Sequence, residues 1–118
     1  MILAFDHVQV SIPAGELEKA LDFYIGVLGF ARVPKPADMR QTGAWLTAGQ
    51  VNFHLGEEEK FVASNLAHPA MRVDNFLELV RQAEQKGLKT RVDNGPDGFL
   101  RGSIWDPFGN RIELMQKM

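Results

Sequence analysis

Apolar and polar residues alternate from Phe5 to Ile12, with Val8, Val10 and Ile12 on one face and Phe5, His7, Gln9 and Ser11 on the other. That period of two predicts a strand. Pro13-Ala14-Gly15 stops it, and the apolar spacing lengthens between Glu16 and Leu28. Leu17, Ala20, Leu21, Tyr24 and Leu28 then share one side of a predicted helix, with Gly29 as its stop. Phe30 to Val33 reads as a second strand closed by Pro34-Lys35-Pro36, and Ala37 to Thr42 as polar loop. Ala44–Thr47 and Val51–Leu55 form an expected hairpin about Ala48-Gly49-Gln50, with Phe53 and Leu55 opposed to Asn52 and His54. Glu57-Glu58-Glu59-Lys60 reads as a solvated connector.

The same order of events then repeats. Leu66 to Val73 is an expected strand containing His68, and Asp74 an expected N-cap. Asn75 to Lys86 should be a helix with Phe76, Leu79, Val80 and Ala83 inward and Gly87 as its stop. Leu88–Val92, Phe99–Trp105 and Arg111–Gln116 are further strands, with a marked turn at Asn94-Gly95-Pro96-Asp97-Gly98. An internal repeat of strand, helix and three strands predicts an α+β fold, a single domain over 1–118 with one module near 1–60 and a second near 61–118. Gly29 and Gly87, and Gly49 and Gly109, fall at corresponding places.

The closing stretch, Asp106-Pro107-Phe108-Gly109-Asn110, is a tight turn feeding a strand with Ile112 and Leu114 on one face and Arg111, Glu113 and Met115 on the other. A carboxylate there faces water or meets something positive, because burying it unpaired is costly. The rest of the sequence narrows the choice. His7, His54 and His68 all fall on expected strands, each on the face opposite the apolar residues, as Glu113 does. A single histidine so placed is usually structural. Three of them with Glu113 at matching places in a repeat point to a metal held by imidazole and carboxylate.

The chain has no cysteine, which excludes disulfides, a thiolate nucleophile and Cys-based zinc sites. Imidazole and carboxylate favour one divalent transition metal, Zn, Ni, Mn, Fe or Co, over Mg or Ca. A net charge of −2 over 118 residues gives no electrostatic case for nucleic acid or an anionic membrane. The opening residues lack a basic, then apolar leader, and no apolar run approaches membrane-spanning length, so a cytoplasmic protein is expected.

Phe5-Asp6-His7-Val8, Ala20-Leu21-Asp22-Phe23-Tyr24 with Leu28-Gly29-Phe30, His68-Pro69-Ala70-Met71-Arg72-Val73-Asp74 and Asp106 to Leu114 together resemble the vicinal oxygen chelate superfamily. It includes glyoxalase I, extradiol dioxygenases, methylmalonyl-CoA epimerase, fosfomycin-resistance and bleomycin-binding proteins. The resemblance implies two tandem βαβββ modules forming a cupped mixed sheet with helices on the outer face, usually in a homodimer. It also implies His7, His68 and Glu113 as metal ligands, with His54 at a fourth position that varies in the family. The implied activity is metal-dependent lyase, isomerase or dioxygenase chemistry, in which the metal chelates neighbouring oxygens of a small substrate and Glu113 acts as the catalytic base. The alternative is a non-catalytic drug- or metabolite-binding protein of the bleomycin-resistance type. Strand parity adds Trp45, Phe99, Arg101 and Trp105 as substrate contacts, Arg72 or Arg101 as an anion partner, and Gln9 and Ser11 as residues that orient His7. Whether one chain or two copies complete the site stays open at this stage.

Overall fold

In each half of the computed structural model the first strand pairs in parallel with the last, and the two middle strands continue outward from it in antiparallel order. The structure describes residues 1–94 and 97–118, so Gly95-Pro96, the centre of the expected turn before Phe99, lies outside the described residues. The chain divides into two compact units, Met1–Val62 and Ala63–Met118.

The first unit contains β1 (Val8–Pro13), α1 (Leu17–Tyr24), β2 (Ala31–Val33), β3 (Ala44–Ala48) and β4 (Val51–Glu58). Its sheet runs β1-β4-β3-β2. The second contains β5 (Ala70–Arg72), α2 (Phe76–Gln85), β6 (Thr90–Asp93), β7 (Phe99–Trp105) and β8 (Arg111–Lys117), with the sheet order β5-β8-β7-β6. These are the two expected βαβββ modules.

Both cores follow from the period of the strands. Leu46, Phe53 and Leu55 of the first sheet are buried, as are Ile104, Ile112 and Leu114 of the second. Phe76, Leu79, Val80 and Ala83 are buried on α2 as their spacing requires. Each large apolar side chain removed from water contributes roughly 1.5–3 kcal/mol. Gly102 of β7 lets α2 come close. A Cβ there would lie 2.0 Å from the Arg91 carbonyl oxygen and 3.0 Å from Phe76 Cζ.

Several boundaries differ from expectation, each for a physical reason. The helix α1 ends at Tyr24, and the chain continues in turns to Gly29, so Gly29 marks the entry to β2 rather than the helix end. Its buried side is Ala20, Phe23 and Tyr24, while Leu17 and Leu21 are only half-buried. The first strand begins at Val8, and the one expected to contain His68 shrinks to Ala70–Arg72. Pro69 lacks an N–H for a ladder, although its carbonyl accepts from Glu113 N at 3.0 Å. His7 and His68 therefore lie just ahead of their strands, and only His54 sits within one.

The α2 helix starts one residue later than expected, and Asp74 does not cap it. Asn75 is the N-cap and makes no side-chain cap bond. Instead the Phe76 N–H donates to Gln116 Oε1 of β8 at 2.8 Å. At the other end Gly87 has φ +75°, and the Gly87 N–H and Leu88 N–H close back on Glu84 O and Ala83 O at 2.9 and 3.0 Å. That is a Schellman C-cap, and a glycine takes the left-handed conformation there without steric cost.

Candidate functional site

In the second unit the site is built outward from a turn. Asp106 is 3% exposed, and its Oδ1 accepts from the Phe108 and Asn110 N–H groups at 2.9 and 2.8 Å. Oδ2 accepts from Asn110 Nδ2 at 2.8 Å. A carboxylate used in this way fixes the turn and with it the phase of β8. Ile112 and Leu114 then enter the core, and Arg111, Glu113 and Met115 take the face away from α2.

Two positive or proton-bearing groups meet Glu113 there. His68 Nε2 lies 3.1 Å from Glu113 Oε1, and Arg111 Nη2 lies 3.5 Å from the same oxygen. Arg111 is itself fixed by donating from Nε to the buried Ser103 hydroxyl at 2.8 Å. His68 Nδ1 is 2.7 Å from the Leu66 carbonyl oxygen. A carbonyl only accepts, so Nδ1 carries the proton. A neutral His68 therefore turns the lone pair of Nε2 toward a carboxylate oxygen. Two acceptors so close need a positive species, either a second proton on the ring or a cation shared by both.

The first unit assembles its histidines differently. His7 and His54 stack with ring centroids 4.0 Å apart and planes 15° from parallel, and Trp45 stacks on His54 at 4.7 Å and 8°. His54 is thus the middle ring of three, held by the pairing of Trp45 and Gln9 with it across β3 and β1. Burial, then the neighbouring His7 and Lys35, hold its pKa below the ordinary 6.5, and Asp6 only partly opposes them. His7 Nδ1 lies 2.8 Å from Asp6 Oδ2. The carboxylate accepts, which fixes the proton on Nδ1 and leaves Nε2 with its lone pair, as in carboxylate-oriented metal-binding histidines.

A cavity of about 430 Å³ opens over this stack, bounded also by Gln9, Lys35 and Arg40. Ser11 donates to Glu58 Oε1, and Gln9 covers Gly56, so each has a partner in β4. The acidic run expected to be a connector is partly strand, since Glu57 and Glu58 end β4. Glu57 accepts from Gly15 N at 2.9 Å and Gly43 N at 2.7 Å, tying two loops to the sheet. Those two bonds, foremost that from Gly15, hold its pKa below 4.5.

The other expected substrate residues are distributed over the second sheet. Phe99 lies 4.6 Å beneath the Arg72 guanidinium, and Trp105 lies 4.3 Å from Lys89 Nζ. Arg101 pairs with Asp97 at 3.2 Å. Among the described residues, neither unit by itself gathers three or more His, Asp or Glu side chains into one metal-holding group. Sequence reasoning gave no role to Asp6, Arg111 or Ser103. The adjacent Asp6-His7 pair and the two-residue spacing of Arg111 and Glu113 were the available signals.

The model of the Glyoxalase/Bleomycin resistance protein/Dioxygenase superfamily matches residues 4–114. The chain belongs to this superfamily. It is similar to a glyoxalase family protein from Bacillus anthracis, 34% identical with a TM-score of 0.90, covering 100% of this chain and 98% of that one. It is 23% identical to the lactoylglutathione lyase of Escherichia coli O157:H7, over 93% of this chain and 91% of that protein. A variant of the fosfomycin resistance protein FosX from Listeria monocytogenes, complexed with Mn(II) and 1S,2S-dihydroxypropylphosphonic acid, shares the fold. Its TM-score is 0.83 at 12% identity, covering 100% of this chain and 95% of that one. Among the described residues, no helix is long and apolar enough to cross a membrane.

Proposed function

We propose that the protein is a divalent-metal-dependent enzyme acting on a small substrate that presents two neighbouring oxygens. The observation that carries this reading is the His68–Glu113 pair, with the Nε2 lone pair 3.1 Å from a carboxylate oxygen while Nδ1 is committed to Leu66 O. The donor set is borderline in hardness, as first-row transition metals require. Each unit offers its own pair of candidate ligands, His68 and Glu113 in the second and His7 and His54 in the first. A bound metal would supply Lewis acidity toward the substrate oxygens.

The remaining chemistry belongs to the chain. Glu113 is the group that takes and returns a substrate proton, and Arg111 keeps its carboxylate oriented through the 3.5 Å contact. Asp6 fixes the tautomer of His7, and Leu66 that of His68. Burial, with His7 and Lys35 nearby, lowers the His54 pKa and so favours the neutral ring that offers a nitrogen lone pair. Trp45 provides an apolar wall beside it.

Elemental analysis of untagged protein should give about one transition metal per chain, and His68→Ala or Glu113→Gln should remove it. Wild-type protein that takes up no metal at neutral pH would overturn the reading. The relatives that bear on the reaction are a lactoylglutathione lyase and FosX, so lactoylglutathione and fosfomycin are the first compounds to assay.

A second reading, non-catalytic capture of an aromatic compound, is favoured by the stacked face of His7, His54 and Trp45 in the first unit. Quenching of Trp45 fluorescence by a bound ligand that survives chelator, with no turnover, would select it.

A further inference from the structure

We propose that Arg72 and Arg101 form an oxyanion-binding subsite on the open face of the second sheet, so that the substrate is a small acid. Its carboxylate, phosphate or phosphonate would stand apart from its two neighbouring oxygens. The inference rests on the reading above, in which those oxygens meet the His68–Glu113 end of the same face.

The strand register places the two arginines. Arg72 of β5 and Arg101 of β7 both lie opposite Met115 of β8, one on each side. Met115 is two residues beyond Glu113 on the same face, a distance of about 7 Å. The Arg72 guanidinium crosses β8, because it lies 4.6 Å from the ring centroid of Phe99. Phe99 is the neighbour of Arg101 on that face of β7. The two cations therefore gather at one end of the sheet.

The second observation is an orphaned donor. Arg101 Nη1 is engaged by Asp97, but among the described residues Arg101 Nε is buried without a hydrogen-bond partner. Leaving such an N–H unsatisfied is costly, the more so for a charged group. The edge that carries Nε is also the one that receives a planar or tetrahedral oxyanion side-on, through two parallel bonds.

Charge points the same way. Arg72, Arg101 and Lys117 occupy this end of the face with the carboxylates Asp93 and Asp97, while Arg91 stands opposite Ser103 in the row of Glu113. Asp93 is taken by Arg91 at 2.7 Å and Asp97 by Arg101. The excess of cations suits an anion there, and the spacing from Glu113 sets its distance from the reacting oxygens.

The probes are inorganic phosphate, glycerol 3-phosphate and glycerol, titrated into full-length protein treated with chelator. Binding is followed by the 1H–15N signal of the Arg101 Nε–H and by calorimetry. Phosphate should shift that signal saturably, glycerol should leave it in place, and Arg72→Gln should weaken phosphate binding about tenfold. Arg101→Gln should do the same, whereas R101K, which keeps the charge, should lose only part of it. An Arg101 signal unmoved by phosphate, or Arg72→Gln binding it like wild type, would overturn the subsite.

Metal uptake is measured separately on the same variants. Wild-type protein that binds phosphate through these arginines yet takes up no metal would leave the subsite standing and remove the proposed function. Full metal uptake with no phosphate response would do the reverse.

Discussion

The two units share a strand order and differ in how each partners its histidines. In the first, His7 and His54 meet ring to ring with Trp45 behind, Asp6 holds only His7 Nδ1, and Glu57 and Glu58 bond loops and a neighbouring strand. In the second, His68 meets the carboxylate of Glu113, with Arg111 beside it. Stacking favours a neutral imidazole, and a carboxylate partner favours a cation close by. One architecture repeated twice thus yields two chemical environments. The difference arises from which residues occupy the open face and not from topology.

The largest expected effect tests whether the units also differ in stability. Phe76→Ala empties the second core and should cost about 3–5 kcal/mol, as should Phe53→Ala in the first. Amide exchange should show each loss concentrated in its own unit, and uniform loss across the chain would erase the energetic side of the comparison. Next in size is the orientation of the histidines. Asp6→Asn, which leaves every candidate ligand in place, should weaken metal binding about 10–100-fold by calorimetry. Unchanged affinity would mean that Asp6 does not orient His7.

Smaller effects separate the causes acting on His54. Its NMR titration midpoint should lie below 6.5, and His7→Phe, which keeps a ring over it but removes the charge, should raise that midpoint. Because the folded value is depressed, the stabilisation is present above about pH 6.5 and is lost as pH falls through the folded value. A midpoint unmoved by His7→Phe would leave burial and Lys35 as the causes of the lowering.

The smallest effect concerns Glu57. Glu57→Gln should cost about 1 kcal/mol in urea unfolding, since a neutral amide oxygen still accepts one of the two backbone bonds. Its contribution in the parent chain is present above pH 4.5 and is lost as pH falls through the depressed folded value. An acid limb identical in parent and variant would contradict that role.

Much of this was legible in the sequence. Alternation placed Glu113 opposite Ile112 and Leu114, and the spacing of Phe76, Leu79, Val80 and Ala83 placed the core of α2. The repeat gave the strand order of events twice over. What alternation cannot convey is the partner of a polar group. Glu57 bonds glycines 42 and 14 positions earlier, and nothing local in Gly56-Glu57-Glu58 distinguishes strand from connector. Arg111 was on the correct face by parity, but its tie to Ser103 depends on the β7–β8 pairing. The strand expected around His68 was too long because Pro69 ends the ladder.

The bond from Phe76 N–H to Gln116 Oε1 spans 40 residues and has a consequence for synthesis. A nascent chain that has exposed α2 but not residue 116 holds a ten-residue helix without its N-terminal acceptor. Isolated helices of that length are marginal in water. The second module should therefore leave the ribosome as an unsettled intermediate and lock only when β8 arrives, so slow translation between residues 85 and 116 would lengthen its exposure to chaperones and proteases.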